Sequence, residues 1–217
     1  MSILSDEQLK FLSGINRTLL SLPELSAKVL LPNETCIIVV DMVNGFAKDG
    51  ALASEDVLKI NDKIADFITI SRANKIDVYA LADSHSEHSP EFACYPAHCL
   101  ENTRESQLTD ELLNAGKITV INKNSTNGFL EEKFKSKILG KGYSNFIIIG
   151  CCTDICVQQL ALTLKAEFNR QNIVKRIIVP YNLVATYNSP AHNSTLCQMF
   201  ALYNLSINGI EVVKKII

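Results

Sequence analysis

Between residues 150 and 157 the chain reads G-C-C-T-D-I-C-V, which places three of its seven cysteines within six positions. The run N-F-I-I-I precedes it and Q-Q-L-A-L-T-L-K-A-E-F follows, so the thiols stand where a strand gives way to a helix. If Thr153 or Asp154 caps that helix, Cys156 falls in its first turn, where unpaired N–H groups and the positive end of the helix dipole favour a thiolate. Cys151 and Cys152 sit in the turn itself, where backbone matters more than sulfur. Cys36, Cys94, Cys99 and Cys197 read as small inert hydrophobes. No C-x-x-C pair occurs, so a four-thiol zinc site and a dithiol redox pair both lack their spacing.

Other reactive groups stand at equivalent places. Apolar runs of strand length occur at 36–40 (C-I-I-V-V), 77–82 (D-V-Y-A-L-A), 118–121 (I-T-V-I), 145–149 and 176–180 (R-I-I-V-P), with a weaker one at 209–213 (G-I-E-V-V). Asp41 follows the first, Asp83 the second and Lys123 the third. In open parallel sheets ligands bind outside the carboxyl ends of the strands. A carboxylate able to take a proton, an ammonium able to hold an anion and a nucleophilic sulfur would therefore meet at one edge.

The segment after the second strand, D-S-H-S-E-H-S-P-E-F-A-C-Y-P-A-H-C (83–99), holds three of the four histidines. Asp83 and His85, two apart in an extended segment, project to one side. With Glu91 and His98 they make an oxygen and imidazole set suited to a divalent metal: zinc first, iron or manganese as alternatives. His88 competes with Glu91 for the variable place, and Glu91 is preferred. From Asp83 to about Arg104 runs the only long connection without clear periodicity, and such loops are usually functional.

The elements that must position these groups alternate. Helical spacing appears at 5–21, 54–74, 106–114, 129–138, 154–170 and 190–204, between strands rich in Ile and Val that read as covered on both faces. Strand–helix alternation implies right-handed β-α-β units and a mostly parallel sheet between helix layers. At 217 residues and 47% apolar the chain reads as one domain, 1–217, with residues 1–30 as a helical extension. That extension is free to cover the chain's own sheet or a neighbouring subunit, which leaves a homo-oligomer open. A net charge of -2 argues against nucleic-acid or anionic-membrane partners, and no apolar run reaches spanning length. The start, M-S-I-L-S-D-E-Q-L-K, lacks the features of a signal peptide, so a cytoplasmic location with reduced thiols is the expectation.

Together, V-V-D-M-V-N-G-F around Asp41, the D-S-H loop, Y-P-A-H-C, the lysine after the third strand and G-C-C-T-D-I-C-V resemble the nicotinamidase branch of the isochorismatase-like cysteine hydrolases. The resemblance runs from about Cys36 to the C-terminus. It implies a three-layer α-β-α fold with a six-stranded sheet in the order 3-2-1-4-5-6. It implies a catalytic triad of Asp41, Lys123 and Cys156, with metal ligands at Asp83, His85, Glu91 and His98. It further implies a cis peptide at Cys151–Cys152, an oxyanion hole from the N–H groups of Cys152 and Cys156, and a ring wall of Phe46 and Tyr95. The implied activity is hydrolysis of a small amide, nicotinamide, in NAD salvage. Three positions depart from the pattern: K-N-S-T-N-G-F after Lys123 is short and lacks a tyrosine, Asn182 replaces an aspartate, and Tyr95 replaces a tryptophan.

Competing readings are a related hydrolase of ureido or carbamoyl compounds, an isochorismate-type vinyl ether hydrolase, a nucleotide-binding module and an inactive metal-binding protein. No G-x-G-x-x-G follows any strand. His192 is a rival base for a Cys–His pair, ranked low because S-P-A-H-N-S-T reads as a loop entering a helix cap.

Overall fold

In the computed structural model, which describes residues 5–217, the strands are β1 (Thr35–Val40), β2 (Asp77–Asp83), β3 (Thr119–Lys123), β4 (Asn145–Cys151), β5 (Arg176–Pro180), β6 (Val184–Ala185) and β7 (Glu211–Val213). The helices are α1 (Asp6–Leu20), α2 (Asn44–Ala47), α3 (Glu55–Ala73), α4 (Asp110–Asn114), α5 (Glu132–Lys137), α6 (Gln158–Arg170) and α7 (Ser194–Ile207). One sheet runs β3-β2-β1-β4-β5-β7, with β6 beside the end of β4, and every strand pair is parallel. This is the expected order with two refinements. The run at 209–213 is the seventh strand, and the two-residue β6 is too short to leave a periodic signal.

Alternation along β1 sorts the core into two layers. Ile37 and Val39 pack with Val57, Ile60, Ile64 and Ile68 of α3. Cys36, Ile38 and Val40 pack with Phe134 of α5, Leu160 and Leu164 of α6, and Leu202 and Leu205 of α7. Both sheet faces are thus dry, which is why the strands read as continuous apolar runs. The extension covers the chain's own body: Phe11 of α1 meets Tyr203 of α7 edge-on, with ring centroids 5.8 Å apart. Backbone bonds from Leu25 to Lys215 (2.9 Å) and from Ile217 to Leu25 (2.8 Å) tie the following segment to the C-terminus. Among the described residues no helix is long and apolar enough to cross a membrane.

Element boundaries shift where the chemistry lies. β2 and β3 extend to include Asp83 and Lys123, and β4 includes Cys151, so these residues end strands rather than follow them. The segment at 106–114 is helical only over Asp110–Asn114, because its first half is loop bonded to α2.

Candidate active site and metal cluster

The reactive groups meet at the carboxyl edge because of pairing register. Asp83 lies opposite Lys123 in the β2–β3 ladder, and β1 runs between β2 and β4. Asp41, just past β1, has a φ of 53°, a left-handed conformation that aspartate tolerates better than most residues. Its amide donates to Leu81 O at 2.9 Å, and its Oδ1 accepts from the Asp83 amide at 3.0 Å. At the matching end of β4, Gly150 has a φ of 112°, and a Cβ there would fall 2.1 Å from Val40 O. Only glycine lets β4 approach β1 this closely before the turn.

Lys123 is buried at 1% exposure and joins the groups. Its Nζ lies 2.9 Å from Asp41 Oδ2, hydrogen-bonds Asp83 Oδ1, and stands 3.0 Å from Ser125 O and 3.8 Å from Cys156 Sγ. A buried ammonium persists only with such partners. Burial pushes its pKa down, but Asp41 and Asp83 overcome that and hold it well above the usual lysine value. Burial pushes Asp41 up to about 7, reinforced by the Asp83 charge and opposed by Lys123. Asp83 goes the other way: burial raises it, but Lys123, His85 and His98 outweigh burial and hold it well below the carboxylate range.

At Cys156 the charges are more closely balanced than its place in the sequence suggests. The sequence points to a thiolate held by Lys123 and a helix end. The structure instead buries the sulfur, and burial pushes the thiol well up. Lys123 pulls it down, but its charge is shared between Asp41 and Asp83, which push upward with burial. Burial and the two carboxylates thus oppose the thiolate that Lys123 favours. The helix start differs too. Residues Thr153–Val157 form one π-helical turn, the N-cap position is Cys152, and neither Thr153 nor Asp154 caps it. The Cys151–Cys152 peptide is cis. Cys151 is buried, its Sγ 3.2 Å from Asp41 O.

The long loop is ordered by a short ladder. The His85 amide donates to Cys99 O (2.9 Å) and Glu101 N to His85 O (2.8 Å), which folds His98 back onto His85. Their rings lie 4.8 Å apart. Both Nε2 atoms face Asp83 Oδ2, at 3.5 Å from His85 and 3.7 Å from His98, with Glu91 Oε1 4.0 Å from His85 Nε2. One ligand atom from each of Asp83, His85, Glu91 and His98 lies within 4.8 Å of all the others. The outer nitrogens are committed, His85 Nδ1 to Asn124 Oδ1 at 2.9 Å and His98 Nδ1 to Pro96 O at 2.8 Å. That pattern fixes the tautomer of metal-binding histidines and turns the Nε2 lone pairs inward. His85 Nε2 is buried without a hydrogen-bond partner. Two such lone pairs beside a carboxylate repel unless a cation lies between them, so the donor set fits a divalent ion. His88 is exposed and outside the cluster.

A cleft joins the two groups. It is lined by Phe46, Leu52, Asp83, Glu91, Tyr95, His98, Thr126, Cys152, Ile155, Cys156 and Tyr187. Phe46 is placed by α2, whose Asn44 side chain donates to Arg104 O and Gln107 O at 3.1 and 3.2 Å. Tyr187, Thr126, Ile155 and Leu52 were not singled out by the sequence, since nothing in their local pattern marks them. Asn124 and Pro96 had a signal, adjacency to Lys123 and His98. Asn182 is not among the residues that line the cleft; its backbone N–H donates to Lys214 O at 3.3 Å. His192, the rival base, is engaged by other partners: its Nε2 lies 2.7 Å from Asp154 Oδ2 and its Nδ1 2.9 Å from Tyr187 O.

Residues 35–206 match the family model "Isochorismatase domain". Nicotinamidase 1 of Arabidopsis thaliana is 28% identical over 209 residues, covering 83% of this chain and 85% of that protein. Ureidoacrylate amidohydrolase RutB of Acinetobacter baylyi is 27% identical over 175 residues, covering 67% of this chain and 70% of that protein. The crystal structure of pyrazinamidase of Pyrococcus horikoshii in complex with zinc superposes with a TM-score of 0.67 at 23% identity, covering 83% and 98% of the two chains. With its parallel sheet order and a family match over most of its length, the chain belongs to the isochorismatase family and is similar to its nicotinamidase branch.

Proposed function

We propose that this protein is an amidohydrolase that converts nicotinamide to nicotinate and ammonia through a thioester on Cys156. The observation that carries the reading is the juxtaposition of two groups at one cleft: Cys156, which lines it with Lys123 and Asp41 buried behind, and the Asp83, His85, Glu91 and His98 cluster, of which Asp83, Glu91 and His98 line it.

Water is a poor nucleophile toward an amide, and a sulfur splits the reaction into acyl transfer and hydrolysis. Asp41 takes the Cys156 proton as Sγ attacks the carboxamide carbon. The proton then goes to the departing nitrogen, which leaves as ammonia. Asp41 next takes a proton from water attacking the thioester, and returning it to sulfur regenerates the thiol. Lys123 holds negative charge on Asp41 and on the sulfur as each develops. Backbone N–H groups of Cys152 and Cys156 would receive the oxyanion, a role worth about 3–4 kcal/mol per donor in comparable sites. Phe46 and Tyr95 stack the substrate ring. Asp83, His85, Glu91 and His98 would hold a divalent ion, zinc by their chemistry, which when bound supplies a Lewis-acidic anchor for the ring nitrogen.

The test is ammonia release from nicotinamide by purified protein, with and without a chelator, beside ureidoacrylate and an N-carbamoyl amino acid. Release from nicotinamide that falls on chelation and returns with zinc is the expected result. Turnover of ureido or carbamoyl compounds with none of nicotinamide would overturn the substrate assignment.

A further inference from the structure

A second cluster lies outside the cleft. Ligand atoms of Asp154, His192 and Cys197 lie within 4.8 Å of one another, all three residues half-buried. Asp154 belongs to the π-turn that carries Cys156, His192 to the loop after β6, and Cys197 to the first turn of α7. His192 repeats the arrangement of His85 and His98. Its Nδ1 donates to Tyr187 O at 2.9 Å, which turns Nε2 toward Asp154. Nε2 lies at hydrogen-bond distance, 2.7 Å, from Asp154 Oδ2, while Asp154 Oδ1 is buried with no partner. Two electron-rich atoms in such contact require a proton or a cation between them, and the Cys197 sulfur beside them is a third donor.

We propose that Asp154, His192 and Cys197 form a second metal site, separate from the four-residue cluster, that takes a zinc-class divalent ion through carboxylate, imidazole and thiolate. One oxygen, one nitrogen and one sulfur select zinc or cobalt over magnesium or calcium, with the fourth tetrahedral position left to water. Binding forms the metal–sulfur bond and releases the thiol proton to solvent. The site has a mechanical consequence. Tyr187 stacks on His192 with ring centroids 3.9 Å apart and planes at 11°, and Tyr187 also lines the cleft. An ion here ties the Tyr187–His192 loop to the turn bearing Cys156.

Cobalt(II) titration of the metal-stripped, reduced full chain tests this without reference to turnover, so it stands or falls independently of the amidase reading. The Asp83 cluster has no sulfur, so a thiolate-to-cobalt charge-transfer band reports the second site. We expect two bound equivalents and a band that disappears in both Cys197→Ser and His192→Ala. Cys197→Ser should also weaken one equivalent by at least about tenfold. A single equivalent with no band, or a band that survives Cys197→Ser, overturns the site. So does an imidazolium N–H resonance of His192 that persists at saturating cobalt, which would assign the gap to a proton.

Discussion

The amide of Asp83 donates to Oδ1 of Asp41 across 3.0 Å, so the strand that leads into the Asp83, His85, Glu91 and His98 cluster also aims the carboxylate beside Cys156. Asp41→Asn keeps an oxygen for that bond and removes the base. We expect ammonia release to drop by on the order of 10⁴-fold, as for loss of one member of a catalytic group, with circular dichroism unchanged. Turnover within tenfold of wild type would exclude Asp41 as the base.

Cys156→Ala should abolish turnover while nicotinamide still binds, measured by calorimetry on the zinc-loaded protein. Mass spectrometry of quenched wild-type reactions should detect an acyl adduct on the peptide containing Cys156, absent from the variant. An adduct on Cys151 or Cys152 would reassign the nucleophile.

Lys123→Met leaves Asp41 and Asp83 facing each other with no cation between them. Removing one partner of a buried ion pair costs about 3–5 kcal/mol, so the urea midpoint should fall markedly. An unchanged midpoint would mean that the cluster is stabilised by something other than this ammonium.

Gly150→Ala should be among the most destabilising single substitutions, because its new Cβ meets the Val40 carbonyl backbone and not a yielding side chain. We expect a loss of at least about 3 kcal/mol or failure to fold. A variant with wild-type melting behaviour would show that β4 can retreat from β1.

Lys48 hydrogen-bonds Glu111 at 2.8 Å and holds its carboxyl down at about 2, linking the end of α2 to α4. An unfolded glutamate titrates near pH ~4.3. The folded value is the lower, so this pair's contribution is complete above about pH 4.3 and is lost as pH falls toward about 2. Stability measured over that window should fall less steeply in Lys48→Met than in wild type, and equal slopes would refute the linkage.

The sequence by itself determined the strands, because both sheet faces are buried and each strand reads as an unbroken apolar run. It also determined which polar side chains gather at their ends, since a parallel sheet brings its carboxyl ends to one edge. What it could not determine was how those charges divide. Lys123 is shared by two carboxylates, so burial and both of them push against the thiolate that it favours on Cys156, and that sharing follows from distances between β1, β2 and β3. The choice of Glu91 over His88 was likewise tertiary, made by a 3₁₀ turn at Pro90–Ala93 that leaves one side chain at the cluster and the other exposed. Tyr187 reaches the cleft, and the Asp154, His192 and Cys197 side chains meet, only because the loop after β6 folds back over the π-turn. Periodicity reports which face a residue occupies within its own element; which side chains meet across elements is decided by packing between them.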